Sequence, residues 1–104
     1  MPPTTLTACK ALIVDSNAET RSKVKAVLVL DGYTVVEAEG GHAALKLVVE
    51  ERPGLIILET RLSDMSGYEL CARLRRTPAA EHTPILFVGS DHGAKYVARA
   101  LDSG

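Results

Sequence analysis

Two carboxylates in this chain stand directly after apolar runs. Asp15 follows Ala11-Leu12-Ile13-Val14, and Glu59 follows Leu55-Ile56-Ile57-Leu58. Nearly continuous aliphatic or β-branched runs, bounded by Gly, Pro, Asp or Ser, read as strands buried on both faces. In an open parallel sheet the working site lies outside the carboxyl ends of the strands. Asp15-Ser16-Asn17, Glu59-Thr60-Arg61 and Gly89-Ser90-Asp91 all fall at such ends. Asp15 and Glu59 are therefore placed to converge. Two carboxylates at one sheet edge make a candidate site for a hard divalent cation such as Mg²⁺, which takes oxygen ligands. The same residue types also serve as helix caps and solvated loop residues, and both readings stand at this point.

The elements that must position these groups alternate. Besides the two runs above, Thr34-Val35-Val36 and Ile85-Leu86-Phe87-Val88 read as strands. The first helix is expected over 18–30, with Ser16 and Glu19 spaced as a capping box and Val24, Val27 and Leu28 on the buried face. The second is expected over 42–51, with Ala44, Leu45 and Val48 inward and Pro53 beyond its end. A third starts near Ser66, again spaced as a capping box with Glu69, and buries Leu70, Cys71 and Leu74. A fourth is expected after Asp91, using Ala94, Val97, Ala98 and Leu101. Strand and helix repeated in this order give a parallel sheet with helices on both faces. Residues 1–7 read as a frayed tail and 8–104 as one domain.

Bulk properties narrow the class. A chain of 104 residues is one small domain, and 46% hydrophobic with 24% charged residues is ordinary globular composition. A net charge of −1 gives no electrostatic reason to expect nucleic acid or an anionic membrane as partner. Cys9 and Cys71 are too few for a disulfide framework and lack metal-ligand spacing. The start, MPPTTLTACK, does not read as a signal peptide, and no apolar stretch in these residues approaches a membrane span. A cytoplasmic protein is the expectation.

Several spaced segments together resemble the receiver domain of bacterial response regulators. They are ALIVDSN (11–17), DGYTVVEAEGGHAAL (31–45), PGLIILETRLSDMSGYEL (53–70), LRRTPAAEHTPILFVGS (74–90) and ALDSG (100–104). The resemblance implies a flavodoxin-like, doubly wound α/β fold with sheet order 2-1-3-4-5. It also implies a phosphoryl-transfer site. In such domains two acidic residues after the first strand hold Mg²⁺, and an Asp after the third strand is the phosphoacceptor and a metal ligand. A Thr or Ser after the fourth strand and a Lys after the fifth bind the phosphoryl group.

This chain departs from that pattern. Asp15 matches the first acidic position, but Ser16 stands at the second, Glu59 at the phosphoacceptor and Gly89 at the Thr/Ser switch position. The extra methylene of Glu59 moves its carboxylate by about one C–C bond, and in-line attack is sensitive to such displacements. Arg61 matches the site that lends a backbone carbonyl to the metal. Asp15, Glu59 and Arg61 are thus the metal ligands the resemblance implies, with weak Mg²⁺ binding and no other cofactor. Three of four chemistry-bearing side chains are changed while the fold-bearing pattern is kept.

The expected function is a degenerate receiver, a non-enzymatic interaction module in a two-component pathway. Its expected partner is a histidine kinase, another signalling protein or an attached output domain. The alternative is a working phosphoacceptor that uses Glu59. The resemblance further implies a fifth strand and helix beyond Gly104. Without them the fourth strand is expected to be an exposed edge that invites self-association.

Overall fold

A computed structural model describes residues 10–89 and the backbone of 96–99. The elements are β1 (Lys10–Val14), α1 (Ala18–Leu30), β2 (Thr34–Ala38), α2 (Gly41–Glu51), β3 (Leu55–Glu59), α3 (Gly67–Arg75), β4 (Ile85–Gly89) and β5 (Tyr96–Arg99). They form one sheet in the order β2-β1-β3-β4-β5. The pairs β1–β2, β1–β3 and β3–β4 are parallel, with Val14 opposite Leu58 and Glu59 opposite Val88. The flavodoxin-like parallel order is the expected one. Its register brings the ends of β1 and β3 level, which places Asp15 beside the end of β3.

The central strands β1 and β3 are buried on both faces after their first residue, as their unbroken apolar runs require. On one face Leu12, Val14, Ile56, Leu58, Ile85 and Phe87 pack against Ala44 and Val48 of α2 and Leu70, Cys71 and Leu74 of α3. Leu70, Cys71 and Leu74 are fully buried, as their spacing predicts. Cys71 behaves there as a small hydrophobe, and burial raises its thiol pKa. On the other face α1 lies along β1 and β2. It leaves an apolar groove lined by Val24, Val27, Leu28, Ile57, Leu86 and Val88. Val27 is 62% exposed, which corrects its expected burial, while Val24 and Leu28 are half-buried.

Two ends of helices carry the loops that matter. Ser66 caps α3 by accepting the amide of Glu69 at 3.0 Å, and Glu69 pairs with Arg73 one turn on at 2.9 Å. At the other end of α3, Arg75 Nη1 donates to the carbonyls of Ala80 and Thr83 at 3.0 and 2.8 Å. That fastens the connection leading into β4.

Residues 96–99 correct the expected fourth helix. Tyr96–Arg99 is a strand, antiparallel to β4, with Val88 opposite Val97 and Phe87 opposite Ala98. The open edge of β4 presents a row of amides and carbonyls that a further strand can pair, and Tyr and Val favour that state over a helix. The expected open edge on Ile85–Val88 is corrected with it, because β5 covers it. Self-association through that edge loses its physical basis. Ala94, Leu101, Ser90, Asp91 and the 1–7 tail lie outside the described residues.

Candidate functional site

Among the described residues, the buried polar side chains are Asp15, Glu59 and Thr60, each 6% exposed. All three sit at the carboxyl ends of β1 and β3. The sheet register produces this convergence. Asp15 donates its amide to the carbonyl of Ala38 at 3.1 Å, which extends the β1–β2 pairing one residue past β1. Gly67 donates to the carbonyl of Thr60 at 2.9 Å, which pulls the start of α3 against the end of β3. A cavity of about 280 Å³ opens between these ends, lined by Asp15, Ser16, Asn17, Thr20, Glu59 and Arg61. Five of the expected site positions therefore gather: Asp15, Ser16, Glu59, Arg61 and, one strand away, Gly89 at the buried end of β4. Gly89 supplies no hydroxyl, and it does not line the cavity.

Several of these groups are engaged in hydrogen bonds within the protein. Glu59 Oε2 accepts from the Thr60 amide at 3.0 Å and the Thr60 hydroxyl at 3.1 Å. The Arg61 amide lies 3.4 Å from the same oxygen. The carboxylate thus folds back over its own loop. Ser16 Oγ donates to the carbonyl of Glu39 at 2.7 Å and accepts the amide of Ser63 at 2.9 Å. Asp15 Oδ1 accepts the amide of Asn17 at 2.9 Å. Burial pushes the Asp15 carboxyl above its usual pKa, and the charge of Glu59 adds to the rise. The Asn17 amide and Arg21 oppose it. A neighbouring carboxylate charge disfavours the ionised form of Asp15 in this way.

The resemblance implies Mg²⁺, and this donor set fits it poorly. Among the described residues no three His, Cys, Asp or Glu side chains gather around one point. Mg²⁺ requires near-octahedral oxygen ligands and gains from their charge. Here the second acidic position is a hydroxyl already donated to a carbonyl, and an oxygen of Glu59 is held by the loop amides and the Thr60 hydroxyl. No chemical step is assigned to a metal.

The capping residue of α1 corrects the sequence reading. Asn17, not Ser16, occupies the N-cap and accepts the amide of Thr20 at 3.0 Å. Both residues lie three before a plausible first-turn partner, so spacing alone could not separate them. The hydroxyl of Ser16 is free for the longer-range contact to Glu39 and Ser63. Sequence reading also missed Asp64. Its carboxylate accepts the amides of Gly41 and His42 at 2.8 and 3.0 Å and meets His42 Nδ1 at 2.8 Å. These partners lie more than twenty residues away, and no local pattern signals them.

Comparison with known proteins agrees with the geometry. Residues 11–104 match the family model described as the response regulator receiver domain. The transcriptional regulatory protein AfsQ1 of Streptomyces coelicolor is 32% identical over 93 residues, covering 89% of this chain and 40% of that protein. Histidine kinase P4 of Formosa agariphila is 34% identical over 93 residues, covering 89% of this chain and 7% of the kinase. The chain therefore spans less than half the length of these relatives. Among solved structures, the chemotaxis response regulator CheY4 of Vibrio cholerae superposes with a TM-score of 0.73 at 32% identity, covering 76% of this chain and 66% of that one.

Proposed function

This chain belongs to the response-regulator receiver family, and on that premise we propose that it is a degenerate receiver. It acts as a protein-interaction module of a two-component pathway and does not depend on phosphorylation at the end of β3. The observation that carries this reading is the position of Glu59. An attacking carboxylate needs an oxygen aligned with the incoming phosphorus, and displacements of about 1 Å are costly to such alignment. Glu59 Oε2 instead accepts from the amide and hydroxyl of Thr60. Hydrogen bonds to the charged form also lower the reactivity of the oxygen that accepts them.

The groups that would assist transfer are missing as well. Ser16 and Gly89 stand where charge and a hydroxyl would stabilise the transferring group. Mg²⁺ binding through Asp15, Glu59 and the Arg61 carbonyl is accordingly weak. The partner is a histidine kinase, another signalling protein or an output domain, in the cytoplasm. It meets the module through its folded surface, and the module itself catalyses nothing.

A second reading has one observation in its favour. Asp15 and Glu59 line the same cavity with Arg61, so a glutamyl phosphate has room to form there. Intact mass after incubation with Mg²⁺ and a small acyl phosphate donor separates the two. No phosphoryl adduct is expected on the unaltered chain. An adduct that disappears in Glu59→Gln would overturn the degenerate reading. Glu59→Asp measures how much of the block lies in the extra methylene.

A further inference from the structure

Three loops meet at the edge of the sheet, after β1, after β2 and after β3, and two adjacent residues of the last one tie them together. The amide of Ser63 donates to Ser16 Oγ at 2.9 Å, and that hydroxyl in turn donates to the carbonyl of Glu39 at 2.7 Å. Ser63 Oγ lies 3.3 Å from the same hydroxyl. One residue further, Asp64 takes the first two amides of α2, from Gly41 and His42, and the ring of His42. A carboxylate at a helix N-terminus satisfies amides that have no partner within the helix and favours the helix dipole. These amide bonds hold the Asp64 carboxyl down at a pKa of about 2, so it is charged at any working pH. The fit is close: a Cβ on Gly40 would stand 2.8 Å from Asp64 Oδ1, and one on Gly41 would strike Met65 Sδ.

We propose that Ser16 and Asp64 form a latch that holds the loop after β3 in one resting conformation, through side chains of the chain itself. The latch requires no bound ion and no covalent modification. It explains what the uncharged residue at position 16 does. A carboxylate there could accept the Ser63 amide but could not donate to the Glu39 carbonyl, so it would join only two of the three loops. Ser16 is in this sense a positioning residue. The inference goes beyond the proposed function and holds whether or not Glu59 accepts a phosphoryl group.

Backbone amide hydrogen exchange at neutral pH tests it. Ser16→Ala is expected to speed exchange about five- to tenfold both in residues 61–66 and, across the latch, in residues 39–42, the loss of one to two ordinary hydrogen bonds. Ser16→Thr keeps the hydroxyl and is expected to restore most of the protection. Asp64→Ala is expected to act on the same two segments. Ser66→Ala, which removes the α3 cap, is expected to loosen α3 without exposing 39–42. Unchanged exchange at 39–42 in Ser16→Ala, or unchanged exchange at 61–63 in Asp64→Ala, would overturn the latch. So would a uniform rise over the whole chain, because that reports global stability only.

Discussion

Gly67 lies against the carbonyl oxygen of Glu59 so closely that a Cβ at position 67 would overlap it. The obstacle is backbone at the end of a central strand, and it cannot rotate away as a side chain would. The same approach allows the Gly67 amide to reach the Thr60 carbonyl at 2.9 Å. Gly67 thereby sets the distance between the start of α3 and the loop that carries Glu59, Thr60 and Arg61.

Gly67→Ala must push α3 away from the end of β3. Overpacking of this kind costs about 1–3 kcal/mol, against a helix-propensity gain for Ala of at most about 1 kcal/mol. Urea denaturation is expected to show a lower midpoint with an unchanged slope. A midpoint equal to that of the unaltered chain would mean that the loop yields freely, and the site would then lack the rigidity described above.

Asn17→Ala removes the side chain that accepts the Thr20 amide and is expected to lower stability by about 1 kcal/mol, the usual worth of an N-cap. The helix is exposed to such a loss because it has no fully buried residue to hold it. Thermal unfolding of Asn17→Ala beside Asn17→Asp gives the check. The aspartate retains an acceptor at the same place and is expected to remain within a few tenths of a kcal/mol of the parent. Equal losses in both would place the cap elsewhere.

The legible and illegible parts of this molecule divide along a physical line. Buried strands such as Leu55-Ile56-Ile57-Leu58 announce themselves because both faces must be apolar, and the order of strands and helices then restricts the topology. The i, i+3 and i+4 spacing of Leu70, Cys71 and Leu74 announces the inner face of α3. The convergence of Asp15 and Glu59 followed from topology alone. Three further features, besides the contacts of Asp64, were not legible. Ala94, Val97, Ala98 and Leu101 have a helical spacing, but the unpaired edge of β4 is a tertiary demand that local spacing does not record. Val27 lies on the expected inner stripe of α1, yet the sheet beside it is covered only in part. Ser16 has the type and spacing of a helix cap, and its actual partners, Glu39 and Ser63, come from two other loops. Side-chain hydrogen bonds between distant loops leave no periodicity to read.

Asp15 offers a prediction in which pH decides the outcome. Burial is the main cause of its raised pKa, and the charge of Glu59 works in the same direction. A carboxyl whose folded pKa lies above its unfolded value is better tolerated when protonated. Its favourable contribution is complete below the unfolded value, near 3.8, and is lost as pH rises through the folded value. At neutral pH the ionised Asp15 therefore works against folding. Asp15→Asn removes that charge and keeps an oxygen to accept the Asn17 amide. The variant is expected to melt higher than the parent at pH 7 in the presence of a chelator, with the difference shrinking as pH falls towards 4. Asp64, held near a pKa of about 2, contributes stability that is lost only as pH falls below 4 and through that value. Parent and variant share that loss, so it cancels in their difference. A gap independent of pH from 4 to 7 would show that Asp15 is well solvated in the folded protein and that neither burial nor the charge of Glu59 disfavours its ionisation.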